Sequence, residues 1–82
     1  MDSPASSITT RQLEVMTLLA EGFSMKIIPH ILGISLHCAY AHRASLMDRL
    51  DIHKEALLIF HYWKDRESWK EELNSRYRQR GP

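Results

Sequence analysis

Cys38 and His42 stand one helical turn apart, the spacing at which two side chains on one helix face can share a metal ion. A zinc site needs more ligands than two, and His30 or His37 would have to be bent into place to supply them, so Cys38 reads as a replacement for a small polar residue and no metal is expected. His42 also reads as a structural histidine near the core. No nucleophile, base and orienting residue form a legible catalytic group, and no glycine-rich phosphate loop appears. The expectation is a protein that is not an enzyme and takes no cofactor. The remaining chemistry is cationic. Lys26, His37, His42, Arg43, Arg49 and Lys54 gather in one part of the chain, where they read either as grips on phosphate oxygens or as an ordinary solvated face.

The bulk numbers suit either reading. The chain has 82 residues, 44% hydrophobic and 26% charged, with a net charge of +1 at neutral pH and five histidines. That length makes one domain with one modest core, which a dimer interface would help to stabilise. A single cysteine excludes an internal disulfide and suits a reducing cytoplasm. No apolar run is long enough to span a bilayer, and Met1-Asp2-Ser3-Pro4 lacks the basic start of a secretory signal. A cytoplasmic protein is expected.

The elements that would position these side chains are legible through their starts and stops. Residues 1–7 are small and polar and read as a disordered lead-in. Thr9 with Gln12 reads as a capping box, Ile8 with Leu13 as a hydrophobic staple, and Gly22 as the stop of a first helix. Ser24 is the expected cap of a second helix ending at Gly33, with Phe23 and Ile28 as its staple. Pro29 lies inside it, so that helix is either kinked or starts late. Ser35 caps a third helix running to about Leu50, with Ala39, Leu46, Met47 and Leu50 inward and Asp51 as a left-handed stop. A fourth begins near Lys54 without a good cap, with Ala56, Ile59, Phe60 and Trp63 as its inward stripe. From Lys64 to Arg80 the composition turns charged, with Trp69, Leu73 and Tyr77 at helical intervals. Either the fourth helix continues, or a second segment folds back. The expected division is therefore 1–7 lead-in, 8–63 domain and 64–82 a charged, partly amphipathic helical extension.

Two short helices joined by a three- to four-residue turn containing Gly33 form a helix-turn-helix pattern. With I-T-T-R-Q-L-E-V-M-T-L-L-A-E-G-F-S at 8–24, L-G-I-S at 32–35, His42-Arg43 and L-M-D-R-L-D-I at 46–52, the chain resembles the LuxR-type (GerE-type) helix-turn-helix domain of bacterial transcription regulators. The resemblance implies an all-α fold of four helices, a third helix that reads DNA, and dimers formed through the fourth. It also implies base-facing positions at Tyr40, Ala41 and Ala44, none of which is a bidentate donor to guanine. Tyr40 could touch a base edge or phosphate, and the alanines a thymine methyl. The chain departs from the family pattern at Ile27, Pro29 and Cys38-Ala39-Tyr40-Ala41, and Ile31, Leu36 and Ala44 stand where polar or basic residues are common.

These readings converge on a bacterial, sequence-reading DNA-binding regulator that acts on double-stranded DNA as a homodimer. Its expected contact set is Lys26, Ser35, His37, Tyr40, Ala41, Arg43, Ala44 and Arg49, with Lys26 and Arg43 foremost on phosphates. The expected dimer contacts are Phe60, Trp63, Trp69 and Leu73, because the aromatic positions of the C-terminal third outrun what so small a domain can cover alone. The alternative is that the tail folds onto the first helix and the chain is monomeric. The rival function is a helix-turn-helix module that binds a protein partner, for example a related regulator, and holds DNA poorly. Leu13, Ile27, Ile31 and Leu36 bear on it: they form either a repacked core around Pro29 or an exposed apolar surface.

Overall fold

The computed structural model describes residues 7–79, and these are all-α, in five helices. Apart from Ser7, the lead-in expected at 1–7 lies outside the described residues. Helix α1 (Thr10–Ala20) opens on the capping box: Thr9 Oγ1 accepts the Gln12 amide at 3.1 Å, and Gln12 Oε1 accepts the Thr9 amide at 3.0 Å. Leu13, Val15, Met16 and Leu19 are buried, and α1 packs against every other helix, so it is the hub of the core. Gly22, at φ +100°, turns the chain so that the Phe23 amide reaches the Leu18 carbonyl at 3.0 Å.

Helix α2 (Ile28–Leu32) starts late, one of the two outcomes Pro29 allowed. A turn closed by the Ile27 and Ile28 amides on the Ser24 carbonyl comes first, so Ser24 precedes the helix and does not cap it. Pro29 falls in the first turn, where its missing N–H would have had no helical acceptor. Gly33, at φ +68°, ends α2, and its amide and that of Ile34 both return to the Pro29 carbonyl. Two residues later Ser35 caps α3 (Leu36–Arg49), its hydroxyl accepting the Cys38 amide at 3.0 Å. Ala39 and Leu46 are buried, Met47 and Leu50 partly so, and Asp51 takes the left-handed stop at φ +55°.

Helix α4 (Glu55–Lys64) begins without a side-chain cap, but its inward face differs from the expected stripe. Leu58 and Tyr62 are the buried residues and Ile59 is partly buried, while Ala56, Phe60 and Trp63 are exposed. The run Ala-Leu-Leu-Ile-Phe-His-Tyr-Trp is apolar nearly all round, so its periodicity carries two competing stripes, and packing on α1 selects the one through Leu58. Burial pushes the Tyr62 phenol above its ordinary value of 10.0, against a smaller lowering influence of the Thr17 side chain.

Asp65 breaks the chain, and α5 (Arg66–Gln79) folds back onto α1. Trp69 and Leu73, expected at a dimer interface, are buried in the chain's own core. Their indole and isobutyl groups find cover within one chain because Asp65 interrupts the helix. Arg76 ties the two ends together, donating from Nη1 to the Ile8 carbonyl at 2.8 Å while its Nε donates to Glu72 at 2.8 Å. Tyr77 adds a hydroxyl donated to Glu14. The Trp69 indole N–H is buried without an acceptor among the described residues.

Candidate nucleic-acid interface

The turn at Gly33 and the Ser35 cap fix where α3 begins, and its outward face follows from helical geometry. His37, Tyr40, Ala41 and Ala44 lie at i, i+3, i+4 and i+7, one continuous stripe, and all four are exposed. Ala39 and Leu46 hold the opposite side in the core. The three positions that the resemblance assigned to bases therefore share one solvent-facing stripe with His37. Ser35 is exposed, its hydroxyl engaged as the cap.

Arg43 has a different first task from the phosphate contact expected of it. Its Nη1 donates to Glu55 Oε1 at 2.6 Å, joining α3 to the first turn of α4, and its guanidinium stacks 4.8 Å from the centre of the Tyr40 ring. Glu55 is well placed as an acceptor, since a carboxylate in a helix's first turn is favoured by the helix dipole. Sequence reasoning missed this pair because its members are 12 positions apart, with no local spacing to announce it. The aromatic stripe residue is thus braced by a cation, and the cation by a carboxylate.

The other cations are freer. Lys26 is exposed in the connection between α1 and α2, Arg49 in the last turn of α3, and Lys54 at the start of α4. His42 is half-buried and Cys38 exposed, and no group of three or more His, Cys, Asp or Glu side chains among the described residues could hold a metal ion.

The apolar residues that departed from pattern divide. Leu13 is wholly buried, whereas Ile27, Ile31 and Leu36 remain 47%, 48% and 49% exposed, an apolar collar running from the start of α2 to the start of α3. On α4, Leu57 (52% exposed), Phe60 (65%) and Trp63 (48%) follow one another at three-residue steps on the outside. Trp63 is partly tethered, because its indole N–H donates to the Ala20 carbonyl at 3.0 Å and Arg66 stacks on its ring at 5.3 Å.

A short helix, a glycine corner and a capped second helix with an outward stripe define a helix-turn-helix domain. The family model for bacterial regulatory proteins of the luxR family matches residues 6–62, and the chain belongs to that family. It is similar to the uncharacterized response regulatory protein YgeK of Escherichia coli strain K12, at 33% identity over 57 residues, 70% of this chain and 39% of that protein. The chain thus spans well under half the length of this relative. No solved structure gives a significant match. Helix α5 lies wholly beyond the family-matched segment. No helix among the described residues is long and apolar enough to cross a membrane.

Proposed function

We propose that this chain is the DNA-reading part of a transcriptional regulator, with α3 laid in the major groove and two copies paired through α4. The observation that carries this reading is the α3 stripe: a capped helix behind a glycine turn, exposed along one side at His37, Tyr40, Ala41 and Ala44. Tyr40 reads a base edge, Ala41 and Ala44 lie against thymine methyl groups, and Lys26, His37, Arg49 and Lys54 grip phosphates. Arg43 holds Tyr40 in place from its seat on Glu55. Such a site draws most of its affinity from the backbone and a modest part from bases, so binding falls steeply with salt.

Selection from random duplex DNA at a stated salt concentration tests the proposal. Enrichment of a two-fold motif with half-sites about one helical turn apart, roughly 34 Å, is the expected result. Recovery of unenriched DNA at low salt alone would leave only electrostatic adhesion. A second reading is favoured by the half-exposed collar of Ile27, Ile31 and Leu36, which suits a related regulator as partner and costs affinity for phosphate. In that case no motif is enriched, and Leu36→Lys abolishes the protein complex.

A further inference from the structure

Between α1, α2 and α5 lies a groove of about 240 Å³ that the DNA-reading face does not use, since no α3 residue lines it. Its lining is largely apolar, with Leu18 from α1, Ile31 and Leu32 from α2, and Leu73 and Tyr77 from α5. Helix α1 contributes Glu14, whose side chain is only 12% exposed, and the exposed Glu21 follows at its end; no basic residue is among those that line the groove. The two carboxylates are seven positions apart, two helical turns or about 10 Å. Leu73 and Tyr77 come from α5, so part of the groove's lining lies outside the family-matched residues 6–62.

We propose that this groove docks a basic amphipathic helix of a partner protein, with an apolar side chain in the groove and a Lys or Arg side chain against Glu21. Charge complementarity selects that occupant. Glu14 already serves Arg11 at 3.1 Å and Tyr77, but Glu21 forms no ion pair among the described residues. Glu21 also caps the C-terminal end of α1, where the helix dipole disfavours a carboxylate. An incoming cation relieves both costs, and rules that locally disfavour a residue are most often broken where it serves a partner. The groove's volume is enough for one large apolar side chain, which makes the complex a transient one anchored at a point. The chain's own undescribed residues do not match: 1–6 carry an acid and no base, and 80–82 (Arg-Gly-Pro) carry no large apolar side chain. Anionic lipid is repelled by the same carboxylates.

The test is an amide NMR titration of the full chain with a helix-stabilised peptide. The peptide carries two leucines one turn apart, flanked by lysines two turns apart; a control has glutamates in place of the lysines. Saturable shifts at Thr17, Leu18, Ile31 and Leu73 with the lysine peptide, and none with the glutamate peptide, are expected. Glu21→Lys should weaken binding by about tenfold or more without lowering the melting temperature, because Glu21 is exposed and a cation at that helix end suits the dipole. Should that variant melt early, Glu21→Gln supplies the comparison, with a weaker loss and a flatter salt dependence. No saturable shift at millimolar peptide overturns the proposal, as does equal binding of the glutamate peptide. Groove shifts on concentrating the protein alone would make the occupant a second copy, and groove shifts with phosphatidylserine vesicles would make it a lipid surface; either overturns it too. Since the readout involves no DNA, failure to enrich a DNA motif leaves this result standing.

Discussion

At the level of single residues, Arg43 and Tyr62 show how far packing changes what a residue type can do. Arg43 was legible as a cation near α3 but not as a brace, since Glu55 comes to it only through the α3–α4 corner. If Arg43 positions Tyr40, Arg43→Ala should relax preference at one base position, lower stability by about 1 kcal/mol or less for a partly exposed pair, and leave the salt slope nearly unchanged. A slope flatter by about one unit would instead mean that the guanidinium leaves Glu55 for a phosphate when DNA arrives. Tyr62 gives a second expectation. Its phenol is held above 10.0, first by burial, so the fold favours the neutral form. The contribution of Tyr62 to stability should be constant below the unfolded value near 10 and should fall as pH rises toward the raised folded value, because the unfolded chain then releases its proton more readily. Urea midpoints taken from neutral to alkaline pH check this. Tyr62→Phe should remove that part of the alkaline loss, and an unaltered profile in the variant would assign it to other groups.

Among the elements, most ends were legible, and so was the inward face of α3, whereas that of α4 was not. Thr9, Gly22, Gly33, Ser35 and Asp51 act through local rules, capping hydrogen bonds and left-handed backbone, and each stands where those rules place it. Ser24 fails as a cap because a turn on its own carbonyl intervenes before Ile28. The inward face of α4 was ambiguous because apolar side chains surround it, and the direction of α5 depended on Asp65, an acid within a charged run that has no glycine or proline to mark the break. The burial of Trp69 makes α5 part of the core, and two substitutions separate its contributions. Trp69→Ala should cost on the order of 3–5 kcal/mol, a large share of the roughly 5–15 available to a domain. Trp69→Phe should cost far less, since it keeps an aromatic ring in the core beside His61 and deletes a buried N–H that has no acceptor among the described residues. Equal losses in chemical denaturation would mean that the indole N–H finds a partner, an ordered water foremost among the candidates.

For the molecule as a whole, the question is what covers the outside of α4. Trp69 and Leu73 are occupied within one chain, which removes half of the expected dimer surface, yet Leu57, Phe60 and Trp63 still present large apolar side chains on successive turns. Of these, Phe60 is the most exposed, at 65%, and Trp63 the most restrained, through Ala20 and Arg66. A twofold pairing of α4 against its copy would bury this stripe and set two α3 stripes about one DNA turn apart. Phe60→Lys tests the arrangement without disturbing the core, because so exposed a ring adds little to the monomer's own stability. Sedimentation equilibrium of the unaltered chain should show concentration-dependent dimers, and of the variant monomers with the same melting temperature. On DNA bearing two half-sites the variant should lose about a hundredfold or more in affinity, the loss of linked binding, while its affinity for one half-site stays unchanged. Truncation after Lys64 should act differently, lowering the stability of each copy by stripping α5 from α1, since the tail contact is within the chain. A concentration-independent monomer in the unaltered chain would sink the α4 dimer, and a dimer that survives Phe60→Lys would move the interface to the collar of Ile27, Ile31 and Leu36.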